Sequence, residues 1–292
     1  MIFAGAAGTW QLGDRTVHRM GFGSMRLTGS AAFDEGTPSD RARSIAVLRR
    51  AVELGVNHID TAAFYFSAIR SANELINSAL GPYPDDLVIV TKVGPGRDAS
   101  GEWLPLARPD QLRGQVEENL RQLGRDHLDV VNLRQQGLDS IEEHFGALAD
   151  LRTAGMIRHL GISNIRPQHL AQAQAIAPVV CVQNRYGLGA RTPSQEEILA
   201  ACGRAGIAFV PFFSIAATGG GSGRSAPDEA AVVSIAQAHG VTPAQVRIAW
   251  TLHKGPHVLA IPGTGNPAHL EENIAAGEIK LSPAEFALLD AL

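Results

Sequence analysis

Asp60 closes a short apolar run, His58-Ile59-Asp60, and Lys92 closes another, Val88-Ile89-Val90-Thr91-Lys92. Tyr65 follows Asp60 on a segment that reads as a loop. A carboxylate at the end of a buried strand is costly without a cation, and Lys92 is the one the sequence offers. Carboxylate, ammonium and phenol collected at strand ends make a proton-donating site. A free phenol has a pKa of about 10, too high for ready donation at neutral pH. An adjacent ammonium stabilises phenolate and lowers that value, while Asp60 holds the ammonium in place. Tyr65 can then protonate the alkoxide that forms when hydride reaches a carbonyl carbon. No side chain supplies hydride, so this chemistry requires a nicotinamide cofactor.

The elements that must position these groups are eight short apolar runs, at 19–23, 58–60, 88–92, 128–133, 159–163, 179–183, 207–212 and 258–262. Being apolar on both faces, they suit a buried parallel sheet. Helical spacing fills the gaps between them. Leu112, Val116, Leu120 and Leu123 make one stripe, with Gly124 after it. Ser140 with Glu143 and Ser282 with Glu285 read as capping boxes, and Thr242, Pro243 and Gln245 open another helix. Strands each followed by a helix predict an α/β fold, a (β/α)8 barrel. A short N-terminal hairpin turning at Gly13 would precede it and an extra C-terminal helix would follow. A doubly wound sheet with an added domain is the alternative, but no composition break or long linker divides the chain, so residues 1–292 read as one domain. In a barrel the carboxyl ends of the strands form the active face, and Asp60, Lys92, Arg134 and Gln183 all fall there. Singly, such residues cap turns, sit in solvent or pair structurally; four on successive strands point to a site.

Composition narrows the classes. The chain has 292 residues, 45% apolar and 18% charged, with a formal net charge of -4, which gives no basic footprint for nucleic acid or an anionic membrane. Cys181 and Cys202 lack Cys-x-x-Cys spacing, so a disulfide is not expected and a reducing compartment is. No export signal is visible, and no run approaches the roughly eighteen apolar residues of a membrane span. The expectation is a cytoplasmic protein acting on a small-molecule carbonyl substrate, without nucleic-acid or membrane partners, as a monomer or weak homo-oligomer. Metal binding is unsupported, because Gly255 and Pro256 separate His253 from His257 and no His-Glu-x-x-His occurs. Gly161-Ile162-Ser163-Asn164-Ile165 lacks the second glycine of a nucleophile elbow.

The set Asp60, Tyr65 and Lys92 resembles the catalytic group of the aldo-keto reductases. Gly161-Ile162-Ser163-Asn164 and Val182-Gln183-Asn184-Arg185-Tyr186 are similar to signatures of that family, in family order. So is Ile261-Pro262-Gly263-Thr264, running to Glu271-Glu272-Asn273. The resemblance spans residues 19–273 and implies a barrel that binds NADP(H) without a Rossmann domain. It makes Tyr65 the general acid, with Lys92 and Asp60 as tuning partners. Ser163, Asn164 and Gln183 would hold the nicotinamide carboxamide. Phe212 stands where the family usually stacks a Tyr on the ring. The loop 213–223, with Phe213, Ser214, Gly221 and Gly223, would cross the pyrophosphate, and Gly23, Ser24, Met25 and Arg26 would border the cofactor. Gly263, Thr264, Asn266, His269, Glu272 and Asn273 form the segment expected around the adenosine.

Two departures from the family pattern stand out. Arg134 occupies the place after the fourth strand where the family usually has a His, similar to the branch containing bacterial pyridoxal reductases. Arginine keeps its proton but donates charged hydrogen bonds, so Arg134 is expected to polarise the substrate oxygen and to suit an anionic or phenolate-bearing substrate. The usual cations of the 2′-phosphate clamp are replaced by Gly263 and His269, leaving Thr264, Asn266 and the helix N-terminus near Pro267 as neutral donors. Trp103, Phe64 and Phe66 would line the mouth. The resulting expectation is an NADPH-dependent reductase of aldehydes or ketones. The alternatives are an NADPH-holding redox-sensing module with little turnover, and a barrel using nicotinamide transiently for elimination or epimerisation.

Overall fold

Successive side chains of a strand face opposite ways, so a run apolar at every position must be covered on both faces. The computed structural model, which describes residues 2–29, 39–212, 214 and 226–292, meets that condition by curling a sheet. An antiparallel hairpin of β1 (Thr9–Leu12) and β2 (Arg15–His18) precedes β3 (Phe22–Gly23) and β4 (His58–Asp60). A two-stranded hairpin, β5 (Phe66–Ser67) with β6 (Arg70–Ser71), comes next. Then follow β7 (Val88–Val93), β8 (Leu128–Arg134), β9 (Ile157–Ser163), β10 (Val179–Gln183) and β11 (Ala208–Phe209). Seven strands form one parallel sheet in the order β11-β10-β9-β8-β7-β4-β3.

Residues 258–262 join the two edges of that sheet. Phe209 pairs with Val258 and Met20 with Ala260, both in parallel. The Leu259 amide donates to the Phe209 carbonyl and the Ala260 amide to the Arg19 carbonyl, each at 2.9 Å. The ring therefore closes as expected for a (β/α)8 barrel, and the doubly wound alternative is excluded. Its eighth member, however, is a pair of isolated bridges instead of a strand. The first and seventh runs are likewise shorter than expected, at Phe22–Gly23 and Ala208–Phe209. Pro211 and Pro262 contribute to this, because neither has an N–H to give to a ladder.

Among the described residues ten helices accompany the strands: α1 (Arg41–Glu53), α2 (Ala72–Leu80), α3 (Leu112–Leu123), α4 (Glu142–Thr153), α5 (Pro167–Ile176), α6 (Pro193–Ala205), α7 (Ala226–His239), α8 (Pro243–His253), α9 (Pro267–Ala275) and α10 (Pro283–Asp290). The Ser282/Glu285 box forms as expected, Thr242 opens α8 and makes a box with Gln245, and Gly124 ends α3 in the left-handed region at φ 63°. The box expected at Ser140 does not form. Helix α4 starts at Glu142 with Ile141 as its N-cap, and the Ser140 hydroxyl instead accepts the Glu142 amide at 3.3 Å. Ser140 lies one residue too early to reach the third turn position.

Parity decides what faces the barrel interior. Val88, Val90, Val130, Cys181, Ala208 and Leu259 form one buried cluster, together with Leu12 and Val17 of the N-terminal hairpin that plugs the lower end. Ile59, Ile89, Val131, Leu160, Ile162 and Val182, one residue out of step, pack in the larger cluster with the helices. Counting upward in twos from the interior residues reaches Lys92, Arg134 and Gln183. The same parity, with Ile59 and Ile162 outside, puts Asp60 and Ser163 inside. The strand alternation thus delivers five polar groups to the upper end of the barrel.

Candidate active site

Lys92 is the hub. Its ammonium donates to both carboxylate oxygens of Asp60, at 2.9 and 2.7 Å, and to the Thr61 carbonyl at 2.9 Å. It also hydrogen-bonds the Tyr65 hydroxyl and sits 4.8 Å from that ring's centre. All three side chains are buried, with Lys92 2% and Asp60 4% exposed. Two charges so far from water persist only with good geometry and satisfied partners, and this pair has both. Burial works against the ammonium, but Asp60 and the phenol outweigh it and hold the Lys92 pKa above its ordinary value.

Tyr65 corrects an expectation. Burial raises its phenol above the ordinary 10.0; Lys92 and, less strongly, Arg134 pull it down, while Asp60 adds to the rise. The net shift is upward, not the lowering that an adjacent ammonium alone would give, because desolvation of phenolate outweighs the attraction. A phenol held protonated at neutral pH is a loaded proton donor.

Behind Thr61 runs a polar network that the sequence did not reveal. The Thr61 hydroxyl donates to the Asn73 side-chain carbonyl (2.7 Å), and the Asn73 amide donates to Asn119 and Gln122 (3.0 Å each). Thr91 donates to the same Asn119 oxygen at 2.6 Å. Thr61, Asn73, Thr91 and Asn119 are all fully buried. The network fixes the segment whose carbonyl takes one ammonium proton, leaving another to face Tyr65. One signal was available: Asn119 stands in the buried stripe of α3 with Leu112, Val116 and Leu123, where an apolar residue is the norm.

Tyr65, Lys92, Asp60, Arg134, Gln183 and Phe212 open on one cavity of about 370 Å³. Arg134 lies with its guanidinium 5.0 Å from the Phe212 ring centre and donates to the Ser163 hydroxyl at 3.4 Å. Gln183 donates its amide to Asp60 at 2.7 Å, while its own carbonyl oxygen is buried with no partner among the described residues. An orphaned buried acceptor beside a cavity is costly unless a donor arrives, and a carboxamide NH2 is such a donor. Gly23, Met25, Ser214 and Gly263 also border the cavity, as do Arg26, Gln136, Phe64 and Trp103. Gln136 had no signal in the sequence. Ser24 beside them is fully buried, its hydroxyl also unpartnered among the described residues. Gly23 and Gly263 lie backbone to backbone: a Cβ on Gly263 would stand 2.4 Å from the Gly23 carbonyl oxygen. Their smallness serves barrel closure here.

Other expected cofactor residues sit farther from the cavity. Asn164 adopts a positive φ of 59° and gives its side-chain amide to the Gln135 carbonyl at 3.0 Å. Ser163 and Asn164 are not among the described residues that line the cavity, and Ser163 is linked to it by the hydrogen bond from Arg134. Thr264 accepts the Asn266 amide (3.0 Å), and Asn266 caps α9 through the Ala268 amide (3.0 Å). His269 and Glu272 are exposed on α9, whereas Asn273 is buried. Phe213, Gly221 and Gly223 lie outside the described residues. Cys181 and Cys202 are free and buried. No group of metal-ligating side chains occurs among the described residues, and no helix there is long and apolar enough to cross a membrane.

Comparison with known proteins agrees with this geometry. The chain is 42% identical over 295 residues to pyridoxine 4-dehydrogenase of Escherichia coli (strain K12), covering 98% of this chain and 99% of that one. A crystal structure of a thermostable aldo-keto reductase in complex with the inhibitor epalrestat superposes with a TM-score of 0.81 at 31% identity, over 97% of this chain and 98% of that one. An aldo-keto reductase from Klebsiella pneumoniae in complex with NADPH gives 0.76 at 27% identity, over 97% and 94%. The sequence profile described as the aldo/keto reductase family matches residues 19–292. With a closed parallel barrel, an Asp–Lys–Tyr set at its upper end and a match over nearly its whole length, the chain belongs to the aldo/keto reductase family, whose members are oxidoreductases.

Proposed function

We propose that this protein uses NADPH to reduce a compact aldehyde to the alcohol, with pyridoxal as the leading candidate, and that it catalyses the reverse oxidation with NADP. The observation that carries this reading is the buried hydrogen-bonded set of Tyr65, Lys92 and Asp60 opening on the same cavity as Arg134 and Gln183. The name of the Escherichia coli relative supports the substrate class, and the NADPH complex of the Klebsiella pneumoniae relative supports the cofactor. We assign the protein to the cytoplasm, in keeping with its two free, buried cysteines.

The nicotinamide cofactor, when bound, supplies the hydride. The protein's own residues do the rest. Tyr65 gives its hydroxyl proton to the substrate oxygen, and the Lys92 ammonium, anchored by Asp60, stabilises the phenolate left behind. Arg134 places a permanent positive charge near the reacting oxygen and favours a substrate with a phenolate or other anionic group beside its aldehyde. The Gln183 carbonyl would accept from the carboxamide, Ser163 and Asn164 would help to hold that group, and Phe212 would offer a flat face to the nicotinamide ring. Thr264, Asn266 and the N-terminus of α9 serve the 2′-phosphate with neutral donors, and NADPH is preferred over NADH. A redox-sensing module with little turnover finds no support.

Mixing the protein with NADPH and pyridoxal should consume the cofactor's absorbance. Tyr65→Phe is expected to lower kcat about 10²-fold or more while leaving the Kd for NADPH nearly unchanged. A fully active Tyr65→Phe enzyme would remove the acid assignment, and no oxidation of NADPH with pyridoxal or other aldehydes would remove the reaction.

A further inference from the structure

A second and larger chamber, of about 760 Å³, lies between the segment after β7 and helix α3. Both volumes fall in the range of small-molecule sites, roughly 300–1,000 Å³. Phe66, Pro95, Leu104 and Leu106 form the chamber's apolar side, which opens to solvent at Leu104, 47% exposed, and Arg97, Arg108 and Glu118 line it as well. Among the described residues, two border this chamber and the reaction cavity alike: Phe64 and Lys92. Lys92 is tied in place by Asp60 and Thr61. That leaves the Phe64 ring as the removable part of the wall. The ring is 5% exposed, edge-on to Tyr65 at 5.2 Å and tilted against Trp103 at 5.7 Å.

We propose that Phe64 is a specificity-determining partition, which confines the substrate to the smaller cavity and keeps an apolar chain out of the chamber behind it. This rests on the carbonyl-reductase reading and deepens it. The protein selects compact, ring-like aldehydes because a tail extending past the reacting carbon meets the Phe64 ring. With that ring removed, an n-alkyl tail passes beside Lys92 into the chamber and lies against Leu104 and Leu106. Trp103 borders only the reaction cavity, so shortening it widens the mouth without joining the two spaces.

The test compares n-butanal with n-decanal in the wild type, Phe64→Ala, Phe64→Leu and Trp103→Ala. In the wild type, kcat/KM is expected not to rise with chain length. Each methylene moved out of water favours binding about fourfold, so Phe64→Ala should raise the decanal-to-butanal ratio about tenfold or more. Phe64→Leu should give a smaller rise, and it stands in should the alanine variant fail to fold. Trp103→Ala should give none. Calorimetry with decanamide, which is not reduced, on the NADPH complex provides a readout independent of turnover, with the same order of affinities expected. Equal ratios and equal decanamide affinities in the wild type and the Phe64 variants would overturn the partition, as would the same gain in Trp103→Ala. Loss of all aldehyde turnover with the decanamide order preserved would count against the reductase reading alone.

Discussion

Both ends of the barrel carry a carboxylate held by cations, and they behave differently. At the lower end Asp14, on the turn of the β1–β2 hairpin, pairs with His159 at 2.6 Å and with Arg158. At the upper end Asp60 pairs with Lys92 at 2.7 Å. The side chain of Asp14 is 47% exposed and that of Asp60 is 6% exposed. Water screens the lower set, which locks the hairpin plug and little else. The upper set is cut off from water, so each partner depends on the other, and the charge that remains is directed at Tyr65. Distance is nearly the same in the two places. Desolvation separates an exposed clasp from a buried pair whose members depend on each other.

Substitutions at the two ends should widen that contrast. Lys92→Met leaves the Asp60 charge buried without its cation, and a loss of about 3–5 kcal/mol is expected in chemical denaturation. Turnover should vanish with it. Asp60→Asn combined with Lys92→Met should recover much of the stability and none of the activity. A double variant as unstable as the single would mean that the charge imbalance is not the cause.

Asn119→Ala should have an intermediate effect. It strips partners from Asn73 and Thr91, and leaving such groups unpaired costs about 1–3 kcal/mol. Since Thr61 loosens, kcat should fall more than KM changes. A pure stability defect with unchanged kcat would show that the network does not position Lys92.

The smallest effect belongs to Asp14→Asn, at most about 1 kcal/mol near neutral pH for so exposed a group, with activity unchanged. This contribution depends on acidity. The His159 hydrogen bond, and then Arg158, lower the Asp14 pKa from 3.8 to about 2 against the pull of burial. A depressed carboxylate stabilises the fold fully above its unfolded value and loses that contribution as pH falls through the folded one. The stability gap between wild type and Asp14→Asn should therefore hold above about pH 4 and close toward pH 2. A gap that widened in acid would contradict the pairing.

Much of the site was legible because strand ends are local features. The Asp60–Lys92 pair followed from the cost of a lone charge at the end of an apolar run, and the structure forms it directly. Arg134 and Gln183 were expected from their places at strand ends, and the structure brings both to the same cavity. Thr242 and Ser282 announced their helices because a capping box is written within four residues. Ser140 misled, since a one-residue shift in where α4 starts is decided by packing. Asn164 was legible from its place after β9, but not the hydrogen bond its side-chain amide gives to Gln135, a residue in the loop after β8. Asn73 passed unnoticed as an ordinary helix residue, and the one signal at Asn119, its place in the apolar stripe of α3, names no partner until Asn73 is beside it.

The sequence alone determined the alternation that sends Lys92, Arg134 and Gln183 to one face, and the need of Asp60 for a cation. Side-chain direction along a strand and the cost of an isolated charge require no knowledge of distant neighbours. Tertiary structure alone decided how the ring closes through 258–262, which way the Tyr65 phenol is shifted, and that Phe64 stands between two cavities. Those properties are sums over atoms brought together from far along the chain, and dehydration, the largest contribution to the phenol's shift, exists only once the barrel has closed around it.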